Sequence, residues 1–137
     1  MSVQHFYNAY FLLNSVDLSN HVESVRLESK ADMLEKTAMS NNTHIFTPGL
    51  YDWSLEVVMY QDYASGSVDA TLNTIIAGGA AVTFEVRPDA GSVATTNPKW
   101  TGSVCLESFP PIGGGVGTLQ KLTAKFRPAS ALTRATS

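Results

Sequence analysis

The chain has 137 residues, enough for one domain with a core of its own, and a net charge of −3 with a pI near 5.5. Nine basic residues against twelve acidic ones disfavour a surface built to grip nucleic acid, because tight binding there comes from neutralised phosphates. Charged residues make up 15% of the chain, below the ~25% of an ordinary soluble domain, so part of the surface is expected to face another molecule.

The opening residues carry an apolar run interrupted by Asn8 and Asn14, with no Lys or Arg before it. They read as neither a signal peptide nor a membrane span. Residues 9–13 form a short buried strand, and residues 14–20 supply the Asn, Asp and Ser of a turn. Residues 22–29 alternate, with Val25 and Leu27 on one face and Ser24, Arg26 and Glu28 on the other. A long polar connection over 30–50 follows, too long for a hairpin turn. Alternation resumes over 54–60, with Trp53, Leu55, Val57 and Met59 on one side.

Residues 66–77 are the helix candidate. Ser67 stands at its N-cap, Asp69 in its first turn, and Val68, Leu72, Ile75 and Ile76 form the apolar stripe before Gly78-Gly79. Strands follow over 81–87, 100–107 and 119–126, separated by a polar loop at 89–98 and by PPIGGGVG at 110–117. Residues 128–137 read as an extended tail. Six strands and one helix in a single domain over 1–137 predict a mainly β fold: an antiparallel β-sandwich or barrel with one flanking α-helix and a long loop between the second and third strands.

Catalytic chemistry is hard to assemble from these residues. His5, His21 and His44 each stand alone in sequence, and no HExxH or CxxC is present. Cys105, the one cysteine, excludes an internal disulfide. It lies between Val104 and Leu106 and reads as a buried or half-buried small side chain. PPIGGGVG lacks the Lys-Ser/Thr of a phosphate loop, since Thr118-Leu119-Gln120 leads on into a strand. No catalytic, cofactor-binding or metal site is expected.

Several segments in order resemble one family: NSVDLSNHVESVRLE, DMLEKTAMSNNT, PGLYDWSLEVVMYQDY, GSVDATL, FEVRPD, NPKWTGSVCLESFPPIGG and LTRATS. Together they resemble the major tail (tail tube) proteins of long non-contractile-tailed, lambda-like bacteriophages. The resemblance implies two packed sheets with a flanking helix. It also implies subunits joined side by side into rings, commonly hexameric, that stack into a tube for the genome. The long loop of that family reaches a neighbouring subunit or ring. By position this assigns an inter-subunit role to Met33, Leu34, Glu35, Lys36, Thr37, Ala38, Met39, Asn41, Asn42, His44, Ile45 and Phe46. Glu23, Glu28 and Glu56 are the candidates for a negative, non-stick lumen lining.

The implied partners are the chain itself, tape-measure, tail-terminator and tail-tip proteins, and double-stranded DNA in transit, without membrane insertion. The implied location is the virion tail, after synthesis in the host bacterial cytoplasm. Two other readings stand beside this one. The first is another ring-forming virion protein, such as a tail terminator or head–tail joining protein. The second is a ligand-binding β-sandwich or small enzyme using Tyr51, Trp53 and Trp100.

Overall fold

The computed structural model describes residues 9–40 and 42–137; His5 and Asn41 lie outside them. The first strand of the described residues is β1 (Tyr10–Leu13), which folds straight back into β2 (Val16–Asp17). The two linking residues, Asn14 and Ser15, both have positive φ, 50° and 66°, the backbone that a two-residue hairpin requires. A 3₁₀ turn (Ser19–His21) then leads into the long pair β3 (Val22–Glu35) and β4 (Phe46–Tyr60). Helix α1 (Val68–Gly78) crosses to β5 (Val82–Arg87), β6 (Lys99–Ser108), β7 (Lys121–Pro128) and a short β8 (Thr133–Ala135).

Every strand pairing is antiparallel, in the order β2-β1-β5-β6-β7-β4-β3, with β8 on β6. The eight strands of the described residues make one hydrogen-bonded sheet that curls round its own core. Phe11 and Leu13 of β1, Phe84 and Val86 of β5 and Val104 of β6 meet Leu122, Ala124 and Phe126 of β7 and Trp53, Leu55, Val57 and Met59 of β4. Val68, Leu72 and Ile75 of α1 join the same core. The alternation read from the sequence is therefore the in–out pattern of the curled sheet, one face dry and the other wet.

Trp53 is the last buried side chain of β4 towards its N-terminus. Its ring lies 5.5 Å from that of Phe84, and its Nε1–H donates to the Ser130 carbonyl at 3.0 Å. Gly102 makes room for both rings: a Cβ there would lie 3.3 Å from Phe84 and 3.4 Å from Trp53. Asn97, also buried, holds the 89–98 loop by pairing with both backbone groups of Asp89 and with the carbonyls of Gly91 and Ser92, each at 3.1 Å.

The structure departs from the sequence expectation in four places. Strands β2 and β8, three residues or fewer, are too short to show a period. In α1 the stripe uses Thr71 in place of Ile76, which is exposed at the rim of the apolar face. Cys105 is exposed, because Val104 points inward and alternation sends its neighbour out, opposite Arg127. The connection over 30–50 is mostly strand: β3 and β4 run on through it and leave only residues 36–45 as a loop.

Burying a large apolar side chain contributes roughly 1.5–3 kcal/mol, and truncating an aromatic one to Ala costs about 3–5 kcal/mol once the cavity is counted. Phe126 is fully enclosed beneath β4 and β6. Phe126→Ala is expected to lower the unfolding free energy by that amount in urea titrations, with an unchanged slope.

Candidate assembly interface

Strand β4 pairs with β7 only from Leu55 to Tyr60, whereas it pairs with β3 from Met59 back to Phe46. Beyond Trp53 the two strands therefore leave the sheet as a two-stranded ribbon. At ~3.3 Å per residue, Trp53 to Phe46 spans roughly 23 Å. The backbone pairing of β3 and β4 is satisfied within this ribbon, but its side chains have no core beneath them.

A bulge sets which side chains share a face. Ala31 pairs with Tyr51 and Met33 with Pro48, so Gly49 and Leu50 together oppose Asp32. Gly49 suits the crowded side: a Cβ there would lie 3.2 Å from Leu34 and 3.4 Å from Asp32. The extra residue shifts β4 by one, which puts Pro48 and Phe46 on the same face as Ala31, Met33 and Tyr51. An apolar stripe thus continues the core face of the sheet out along the ribbon. In this stripe Met33, Phe46 and Tyr51 are each more than half exposed; Leu34, in register with Thr47, and the bulge residue Leu50 are exposed outside it.

The turn at the ribbon tip is closed by Glu35. Its Oε2 accepts from Thr37 Oγ1 at 2.9 Å and also contacts His44 Nδ1. Thr37 Oγ1 in turn accepts from the Ile45 N–H at 2.9 Å, and the Lys36 N–H donates to the Ile45 carbonyl at 2.8 Å. His44, expected to be a solvated loop residue or an interface contact, is solvent-exposed and serves as part of this clasp. Of the twelve residues assigned by resemblance, Met33, Leu34 and Glu35 end β3 and Phe46 begins β4. Lys36, Thr37, Ala38, Met39, Asn42, His44 and Ile45 form the turn, and Asn41 lies outside the described residues. The apolar residues Pro48, Leu50 and Tyr51 share the ribbon, although sequence reading left them out of the interface.

Glu23, Glu28 and Glu56 lie on exposed positions of β3 and β4, each beside a cation. Glu23 occupies a bulge between Val22 and Ser24 and pairs with Lys121 at 3.1 Å, which raises the Lys121 pKa. Glu28 pairs with Arg26. Glu56 sits in register between Arg26 of β3 and Lys125 of β7. A shallow polar recess of about 470 Å³ lies on this face, with Glu56, Glu107, Lys125 and Arg127 in its lining.

The fold also gathers a cluster that the sequence keeps apart. His21 Nε2 lies 2.8 Å from Asp62 Oδ2, and Ser67 Oγ donates to the same oxygen at 2.8 Å. A hydrolytic triad places carboxylate and serine on opposite ring nitrogens. Here both lie at Nε2, and His21 Nδ1 is buried without a partner, so the hydroxyl has no base. Asp62 instead ties three elements together. Its other oxygen accepts the Ala64 N–H at 3.0 Å, and its carbonyl accepts the Asp69 N–H at 3.1 Å. Ser67 stands at the N-cap of α1 as expected, but its hydroxyl goes to Asp62 and not to the helix backbone.

The aromatic residues considered for a binding platform separate: Trp53 is buried, Trp100 is half-buried beside Arg134, and Tyr51 is out on the ribbon. Among the described residues no His, Cys, Asp and Glu cluster is arranged to hold a metal, and no helix is long and apolar enough to cross a membrane.

No protein-family model matches the sequence, and no curated protein does. Solved structures do match the fold. A chain in the virion of a native gene transfer agent particle superposes with a TM-score of 0.78 at 16% identity, covering 97% of this chain and 99% of that one. The SPP1 tail tube matches at 0.74 and 15%, over 95% of this chain and 77% of that one. The tail of an empty gene transfer agent particle, refined with C6 symmetry, matches at 0.67 and 17%, over 82% and 81%. The chain has the tail-tube fold that the sequence resemblance implied.

The Ala64 N–H, the Ser67 hydroxyl and His21 hold the Asp62 carboxyl below its ordinary pKa; His44 and Thr37 do the same for Glu35. A lowered folded-state pKa contributes stability above the unfolded value, near 4, that is lost as pH falls through the folded one. Thermal melts are expected to show a loss below about pH 4 that is smaller in Asp62→Asn, whose melting point is already reduced at pH 7.

Proposed function

We propose that this chain is a structural virion protein that assembles into stacked rings of six subunits each to form a tail tube for genome delivery. The observation that carries this reading is the apolar ribbon. A monomer with the tail-tube fold exposes a stripe of Met33, Phe46, Pro48 and Tyr51 that its own core never covers. Hydrophobic surface left in this way gains by burial against another copy. A head-to-tail contact with a closing rotation generates a ring. Continuing the sheet of one subunit into the next covers the outer edge of β3, which pairs with no other strand among the described residues. The six-fold symmetry of the matched gene transfer agent tail supports a hexamer.

In this reading the wet face of β3, β4 and β7 lines the lumen. Its glutamates alternate with Arg26, Lys121 and Lys125, so passing phosphates meet no uniform field of either sign. Tape-measure, terminator and tail-tip proteins are the expected partners inside the tube and at its ends.

Negative-stain microscopy of the purified protein is expected to show long hollow filaments. Isolated rings would point to a tail terminator, and a ligand-binding monomer to the β-sandwich reading. The triple variant Met33→Lys/Phe46→Lys/Tyr51→Lys is expected to stay folded by circular dichroism and to form no filaments. Glu56→Lys, which sets three cations abreast across β3, β4 and β7, is expected to form tubes that retain DNA at low salt, where the wild type releases it.

A further inference from the structure

The curled sheet is open along one side of its core. Val25 and Leu27 of β3 stand across from Val86 of β5, Pro88 just beyond it and Trp100 of β6. Leu132, in the link between β7 and β8, completes an apolar groove of about 230 Å³. Val86 is buried, but Val25, Leu27, Trp100 and Leu132 are only half-buried along its walls.

Strand β1 enters the body beside this groove. Tyr10 pairs with Arg87, whose guanidinium carbon lies 4.5 Å over the Tyr10 ring, so Ala9 stands level with Pro88. The ladder between β1 and β5 is blocked from running further back. An antiparallel ladder draws its bonds from alternate residues, so the next pair would use either Pro88 or Asp89. Pro88 has no N–H. The N–H and the carbonyl of Asp89 are both engaged by the Asn97 side chain at 3.1 Å. The chain before Ala9 therefore parts from β5 at a residue that lines the groove.

We propose that the groove is filled by Tyr7 of the same chain, with residues 3–7 folded over its mouth. Residues 1–8 lie outside the described residues, and this inference does not depend on the tube reading. Parity favours Tyr7. Phe11 and Leu13 are buried on the core side, which gives Ala9 and then Tyr7 the same side in an extended chain. Reach agrees with this: the step from Tyr10 back to Tyr7 is about 10 Å of extended chain, enough to bring the ring over Pro88 and Val86.

Chemistry and size point the same way. Residues 1–8 include Val3, Phe6 and Tyr7 and no Asp, Glu, Lys or Arg, so they cover apolar walls without burying a charged side chain. Ser29, also in the lining, offers a hydroxyl to the Tyr7 Oη, the kind of partner a buried tyrosine needs. A volume of about 230 Å³ falls below the ~300–1,000 Å³ of small-molecule sites and suits a large side chain. In the sheet order the β2–β1 end and β3 lie at opposite ends of the path. Tyr7 packs between them and joins by side-chain contact two ends that no ladder joins among the described residues.

Cross-linking within the chain tests this. In a Cys105→Ser background, Tyr7→Cys with Leu27→Cys is mixed before assembly with the same variant labelled with heavy isotope, then treated with a short bismaleimide. Trypsin separates the two positions, since Arg26 lies between them. Mass spectrometry is expected to find linked peptides that are both light or both heavy. Linked peptides of mixed label would overturn the proposal, because they place a second copy in the groove. A yield no greater than that of Tyr7→Cys with Thr74→Cys, on the exposed side of α1, would also overturn it. If the cysteine variant does not fold, acrylamide quenching decides. Trp53 is buried, so the quenching reads Trp100. It is expected to rise in Tyr7→Ser, and unchanged quenching would overturn the proposal. Both readouts apply with or without filaments, so neither failure touches the tube reading.

Discussion

Strands β3 and β4 pair over more length than the core can cover, and the rest of the structure is arranged around that mismatch. Within the body, β4 is held between β3 and β7, with Leu55, Val57 and Met59 in the core. Past Trp53 only β3 remains beside it. An isolated two-stranded ribbon is marginal in water because it buries little apolar surface. Trp53 is thus where the stable part of the hairpin ends, fixed by its contacts with Phe84, Gly102 and Ser130. The Glu35–Thr37–His44 clasp closes the far end. Between these two fixed points lies the apolar stripe that the bulge at Gly49 and Leu50 aligns with the core face.

The wet face follows a different rule. It is exposed and polar, yet its cations and anions stand next to one another along the ladders. Exposed pairs of this kind contribute little to stability, about 0–1 kcal/mol each. Their effect is on the field, which is broken into short-range dipoles that salt screens further. The low charge of the whole chain therefore coexists with a locally charged face that has no dominant sign.

Much of the fold was legible in the sequence. Six strands and the helix were each marked by a period of two or 3.6 with turn residues between them, because one face of each element is buried and the other is not. The helix end at Gly79, with φ of 66°, was readable for the same kind of reason, since only Gly takes that conformation at no cost. The ribbon was not readable as strand. With neither face in the core of the subunit, residues 30–35 and 46–50 have no reason to alternate, and they read as a loop. Strand β8 is too short for a pattern.

The sequence by itself determined the number and kind of the main elements, the inward residues of β4 through β7, and the resemblance that placed an inter-subunit role near residues 33–46. Only the tertiary structure decided which of those residues share a face, because a single-residue bulge reverses every side chain beyond it. It also decided that His21, Asp62 and Ser67 form a structural tie and not a catalytic set, that Cys105 faces outward, and that each candidate lumen glutamate has a cation beside it. These are properties of register and of long-range approach. They depend on where one strand stops relative to another, and no local period records that.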